Sequence, residues 1–130
     1  MEDEEIKFEA EYFFDSYAII EILKENPNYK RFADESVTLT ILNLSEIYYS
    51  VLNDYPEEKA DKIYEVYKKA VVELSDEIIK EAMKFRKKNI KRGLSYADCI
   101  GYVYALKHKM KFLTGDKEFK DLNNVEFVKK

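Results

Sequence analysis

Four acidic residues, Asp15, Glu46, Asp98 and Asp116, each fall where a strand-like run or a loop gives way to a helix-like run, in four remote parts of the chain. Carboxylates are hard oxygen donors. A group of them suits Mg²⁺ or Mn²⁺, which bind through a few carboxylates together with water and substrate phosphate. Two like charges ~4 Å apart repel by roughly 4 kcal/mol at an effective dielectric of 20, whereas a carboxylate at a helix N-terminus gains only about 0.3–1 kcal/mol. Acids gathered closely must therefore take up protons or hold a divalent cation. Taken singly, each acid has an ordinary explanation: Asn43 with Glu46, and Ser95 with Asp98, have the spacing of a capping box, and Asp15 and Asp116 fit N-cap positions. The difference between the two readings lies in whether the four meet in space.

Other chemistry is poorly provided for. The one histidine, His108, sits in Lys107-His108-Lys109 and reads as a surface residue, so a Ser-His-Asp or Cys-His arrangement has no support. Cys99 is the one cysteine, which excludes an internal disulfide and a cysteine-based zinc site and suits a reducing compartment; it reads as a small buried hydrophobe.

The elements that must position the acids follow from periodicity. Glu11-Tyr12-Phe13-Phe14 reads as a strand, Asp15-Ser16 as a turn, and Ile19, Ile20 and Leu23 as a helix face that ends at Asn26-Pro27. Val37, Leu39 and Ile41 alternate with Thr38 and Thr40, which predicts a second strand. After Asn43, the positions Leu44, Ile47, Tyr48, Val51 and Leu52 give an amphipathic helix, and Pro56 opens another carrying Ile63, Val66, Tyr67 and Ala70. Val71 to Leu74 fits either a third strand or the last turn of that helix. Ser75 caps a helix through Ile78, Ala82 and Phe85 with a basic end, and Gly93 breaks the pattern. Ser95 starts a helix with Ile100, Val103 and Tyr104 inward, and Gly101 inside it suggests close packing. Met110 to Leu113 is a strand, Thr114-Gly115-Asp116 a turn, Lys117 to Phe119 a short helix and Val125 to Val128 a last strand.

Strands alternating with helices predict a three-layer α/β/α fold with a mostly parallel central sheet. The strand-to-helix turns of such a sheet open on one edge, where ligand sites form, so acids scattered along the chain are expected to meet there. At 130 residues one domain is expected, over 11–130, preceded by an acidic lead-in at 1–10. The 46% hydrophobic and 37% charged content with three Gly and two Pro excludes a disordered chain. The net charge of −4 argues against a generic nucleic-acid coat, but cations on carboxylates can reverse the local field, so a polynucleotide substrate stays open. No apolar run approaches a membrane span of about 18 residues, and the acidic start is unlike a signal peptide; a cytoplasmic protein is expected.

The segments Phe14-Asp15-Ser16, Thr40-Ile41-Leu42-Asn43-Leu44-Ser45-Glu46, Leu94-Ser95-Tyr96-Ala97-Asp98 and Leu113-Thr114-Gly115-Asp116-Lys117-Glu118-Phe119 resemble, in order, the motifs of PIN-domain nucleases, especially small VapC-type toxins. The resemblance covers nearly the whole chain from about residue 11. It implies that Asp15, Glu46, Asp98 and Asp116 bind Mg²⁺ or Mn²⁺ and carry metal-assisted hydrolysis of an RNA phosphodiester, with Ser16 and Thr114 as supporting hydroxyls. Glu118 either orients the attacking water or is an ordinary exposed residue. The basic stretch Lys84, Arg86, Lys87, Lys88, Lys91 and Arg92 either guides RNA toward the metals or is a plain helix surface. Tyr17 and Tyr96 either stack on a base or pack at the rim. Cys99 stands where the family usually has a smaller residue such as Ala. The resemblance further implies a homodimer and a small cognate antitoxin protein. A role in RNA processing outside a toxin pair, a non-catalytic module with the acids as caps, and a phosphorylatable receiver domain are the competing readings. The last is disfavoured because Ser16, not a second acid, follows Asp15, and Lys117 comes after Asp116.

Overall fold

The computed structural model describes residues 11–130; the acidic lead-in lies outside them. The elements are β1 (Tyr12–Phe14), α1 (Ser16–Leu23), α2 (Ile41–Asp54), α3 (Glu57–Lys68), α4 (Asp76–Lys88), α5 (Tyr96–Lys107), β2 (Lys111–Thr114) and β3 (Val125–Phe127), with short 3₁₀ segments at Pro27–Phe32, Ile90–Arg92 and Lys117–Phe119. The three strands form a parallel sheet in the order β1-β2-β3, with Phe13 opposite Phe112 and Leu113 opposite Glu126.

Consecutive apolar residues in β1 and β2 serve both faces of the sheet, the pattern of parallel strands covered on both sides. Phe13 and Phe112 belong to one core with Ile78 and Ala82 of α4 and Ile100 and Val103 of α5. Phe14 and Leu113 belong to the other, with Ala18 and Ile19 of α1 and Leu44, Ile47 and Val51 of α2. The expected α/β layering with a parallel sheet is therefore present. Close approach of α5 to the sheet explains Gly101: a Cβ there would lie 2.7 Å from Phe13 Cε1.

The expected strand at Val37–Ile41 is reduced to one residue. Leu39 bridges Val71 in parallel, and Thr38 carbonyl accepts from Phe14 N–H at 2.9 Å, so this segment lies beside β1. Extension stops because Thr40 and Asn43 form a reciprocal capping box that turns the chain into α2 at Ile41. The same box corrects the reading of Asn43 with Glu46: Asn43 is the N3 residue and Glu46 lies within the helix. Val71 to Leu74, left open between strand and helix, supplies only the bridge. Helices α4 and α5 begin on their expected caps, Ser75 and Ser95. Among the described residues, no helix is long and apolar enough to cross a membrane.

Candidate functional site

Asp15 follows β1, Asp116 follows β2, Glu46 lies on α2 and Asp98 lies in the first turn of α5. The parallel sheet brings all four to one cleft of about 500 Å³, lined also by Ser16, Tyr17, Ile20, Ser45 and Tyr49. Among the described residues, no cationic side chain lines it. Negative charge is thus concentrated in its described lining.

Each carboxylate is anchored through one oxygen. Asp15 is 3% exposed, and its Oδ2 accepts from Thr114 Oγ1 at 2.6 Å. Thr114 Oγ1 in turn accepts from Asp116 N–H at 3.0 Å, which directs the hydroxyl proton toward Asp15. Glu46 Oε1 accepts from Ser16 Oγ at 2.5 Å. Asp98 Oδ2 accepts from Ser95 N–H at 2.8 Å, and Asp116 Oδ1 from Glu118 N–H at 2.9 Å. Among the described residues, the second oxygen of each has no hydrogen-bond donor. Simple capping fits Asp98 and Asp116. It does not fit Glu46, and Asp15 occupies the N-cap position of α1 without making a side-chain cap bond.

Burial pushes the Asp15 carboxyl up to about 7, and the charges of Asp98, Glu46 and Asp116 add to the rise against the Thr114 hydrogen bond. Burial also raises Asp98, opposed by its bonds to Ser95 and reinforced by Asp116. Glu46 is an exposed residue by its whole surface, yet its carboxyl end turns in to Ser16; desolvation there raises it, and Asp98 adds to the rise. These are the marks of acids crowded into a poorly solvated space.

Among the described residues, no three acidic, histidine or cysteine side chains are grouped so as to hold a metal ion as they stand. The donor chemistry nevertheless fits a hard divalent cation: four carboxylates on one cleft, each with an oxygen to give and, among the described residues, no cation beside them in the lining. Mg²⁺ usually retains several waters and takes only one or two carboxylates directly, so full closure of the acids on one ion is not required.

Asn43 is a site residue that the sequence reading took only as a cap. It is buried; its Oδ1 accepts from Thr40 N–H and Oγ1 at 3.0 and 2.7 Å, and its Nδ2 donates to Ser16 Oγ at 3.0 Å. A chain of bonds from the start of α2 thereby sets the hydroxyl that holds Glu46. The available signal was Thr40 three residues before Asn43, masked by the strand-like alternation around it.

The remaining expected residues are distributed differently. Glu118 is exposed and outside the cleft lining; its carbonyl accepts from Arg92 Nη1 at 2.9 Å. Arg92 also pairs with Asp121 at 2.8 Å, tying the Ile90–Arg92 segment to the one that follows Asp116. Arg86 Nε donates to Leu94 carbonyl at 3.1 Å and its guanidinium lies 4.5 Å from the Tyr96 ring centroid. Lys91 is exposed. Lys84, Lys87 and Lys88 line a different groove of about 900 Å³ between α4 and α5, with Phe85, Val103 and Leu106, which shares no lining residue with the acidic cleft. That larger groove lacks the acids and carries none of the chemistry described above. Cys99 is buried, and burial pushes its thiol up to about 11, leaving it protonated and inert.

Comparison with known proteins agrees with this architecture. No match was found among curated proteins. Among solved structures, a toxin-antitoxin complex from Klebsiella pneumoniae is similar with a TM-score of 0.70 at 15% identity, covering 88% of this chain and 95% of that one. VapBC-1 from nontypeable Haemophilus influenzae has a TM-score of 0.66 at 18% identity, covering 91% and 96%. VapBC2 from Rickettsia felis, bound to a DNA fragment from their promoter, has a TM-score of 0.65 at 16% identity, covering 90% and 98%. At these identities the likeness is one of fold. The family model described as PIN domain matches residues 12–125, nearly the full length, and the chain therefore belongs to the PIN-domain family.

Proposed function

We propose that this protein is a Mg²⁺- or Mn²⁺-dependent endoribonuclease that hydrolyses RNA phosphodiester bonds, the toxin of a VapBC-type pair. The observation that carries the reading is the set of four carboxylates on one cleft, each fixed through one oxygen and open through the other, with no cation among the lining residues. PIN nucleases generally use divalent metal ions, and the similar toxin–antitoxin structures support a small antitoxin protein as partner. The homodimer rests on the family resemblance alone, as does RNA over DNA, since no residue of the cleft is matched to a 2′-hydroxyl.

Asp15, Glu46, Asp98 and Asp116 would hold the ion. When bound, a divalent cation supplies the positive charge that lowers the pKa of the attacking water and stabilises the crowded phosphate and the leaving oxygen. The protein's own contribution is orientation and desolvation. Thr114 keeps Asp15 aimed into the cleft while leaving Oδ1 to the ligand, and the Thr40–Asn43–Ser16 chain does the same for Glu46. The start of α5 and the turn after β2 hold Asp98 and Asp116 by backbone N–H groups, favourable partners for negative charge. Apo Asp15 takes up a proton near neutral pH and releases it when a cation enters.

The test is cleavage of a mixed single-stranded RNA pool. Activity is expected with Mn²⁺ or Mg²⁺, none with EDTA, and loss of at least about a hundredfold in Asp15→Asn and Asp98→Asn with the fold intact. Unchanged cleavage in both variants overturns the reading.

A further inference from the structure

Tyr49 is 72% exposed on the wall of the acidic cleft, one helical turn beyond Glu46, so both side chains lie on the same side of α2. Among the described residues its ring has no aromatic or cationic partner and its hydroxyl no hydrogen bond. Other tyrosines of the chain differ: Tyr48, next in sequence, packs edge-on against Tyr64 and donates to Asp61, and Tyr104 of α5 stacks on His108 at 4.0 Å. A large ring left in water at the mouth of a charged cleft is surface held ready for a planar ligand.

A second such ring stands at the start of α5. Tyr96, two residues before Asp98, is 59% exposed, with the Arg86 guanidinium 4.5 Å from its centroid. Arg86 is pinned there by Nε to Leu94 carbonyl, while its two terminal nitrogens have no protein acceptor among the described residues. That pair offers a ring face for a base and two N–H-bearing nitrogens for a phosphate. The described lining of the cleft contains no cation, so affinity for a polyanion is expected from groups on its borders and from bound metal.

Resting on the nuclease reading above, we propose that Tyr49 and Tyr96 are stacking plates for unpaired bases on either side of the cleaved phosphate. In a duplex the base faces are occupied by one another and cannot reach such plates. Stacking on an aromatic side chain is sequence-tolerant, because every base has a π-face.

The experiment measures binding and cleavage separately. Fluorescence anisotropy with Mn²⁺ follows a labelled single-stranded RNA of about 12 nucleotides, and its duplex, on the Asp15→Asn protein, which leaves the strand uncut. Tyr49→Ala and Tyr96→Ala are each expected to weaken single-strand binding by about tenfold, Tyr49→Phe and Tyr96→Phe by less than about twofold, and the duplex to bind at least about tenfold more weakly. With Asp15 intact, the alanine variants should raise KM and spare kcat. Alanine variants that bind like the parent, equal affinity for duplex, or no single-strand binding by the parent each overturn the proposal. So does a change of oligomeric state in Tyr49→Ala at unchanged RNA affinity, since that assigns the ring to a protein contact. If wild-type protein cuts RNA in Mn²⁺ while the alanine variants are unaltered, the plates fail and the nuclease reading stands.

Discussion

Replacing Asp15 by Asn should stabilise the metal-free protein, and do so increasingly as pH rises. The side chain is buried beside three other acids, and its carboxyl is raised from 3.8 to about 7. A folded-state pKa above the unfolded one means that the native state holds the extra proton. The corresponding stability is full below about pH 4 and is lost as pH rises through about 7. By linkage, Asp15 costs the fold about 2 kcal/mol at pH 5, where the native carboxyl is held protonated, and about 4 kcal/mol at pH 8, where it is ionised. Asn at 15 carries no charge, keeps an oxygen for the Thr114 hydroxyl and turns its amide toward neighbouring carboxylates. Cavity and packing offsets do not depend on pH. The margin of Asp15→Asn over wild type in urea unfolding with EDTA should therefore widen by about 2–3 kcal/mol between pH 5 and pH 8. Saturating Mn²⁺ should reverse the order at pH 8. Parallel stabilities of the two proteins across this range would show that Asp15 is not held in a crowded anionic cleft.

Further outcomes follow from the same geometry. Millimolar Mn²⁺ should raise the Tm of wild type by mass action, more at pH 8 than at pH 5 because protons compete for Asp15, Glu46 and Asp98; differential scanning fluorimetry at the two pH values measures it. Asn43→Ala leaves Thr40 N–H without its acceptor and Ser16 without its donor, so a loss of about 1–3 kcal/mol in denaturant unfolding is expected, with weaker Mn²⁺ binding by calorimetry. Gly115→Ala would place a Cβ 2.4 Å from Tyr17 Cε1 and 2.3 Å from the Tyr29 hydroxyl, which donates to Val128 carbonyl. A cost of about 1–3 kcal/mol and lower activity, from a displaced Asp116 turn, should appear in unfolding and cleavage assays.

The local devices of this protein were legible in its residues. Aromatic and aliphatic runs at Tyr12–Phe14 and Lys111–Thr114 mark strands buried on both faces; Ser75 and Ser95 mark helix starts; Gly101 marks a close approach. These signals act over one to four residues, within the reach of periodicity and capping. The Val37–Ile41 alternation misled because two local preferences compete there: β-branched spacing favours a strand, and the Thr40–Asn43 box, which ends it, is satisfied only once Asn43 is buried against Ser16.

What tertiary structure alone decided is the meeting of the acids. The bond between Thr114 and Asp15 joins residues 99 positions apart, and it exists because β1 and β2 pair in parallel with Phe14 opposite Leu113. A shift of one residue in that register would turn every side chain of the strand to the other face and break the contact. Composition and order determined which carboxylates the chain possesses and where helices begin near them. Long-range strand register and burial determined that these charges share one cleft and that Asp15 lies under Thr114 in a space dry enough to raise its pKa. The physical reason is that desolvation and charge crowding are properties of a packed volume, to which a linear sequence contributes residues from every part of its length.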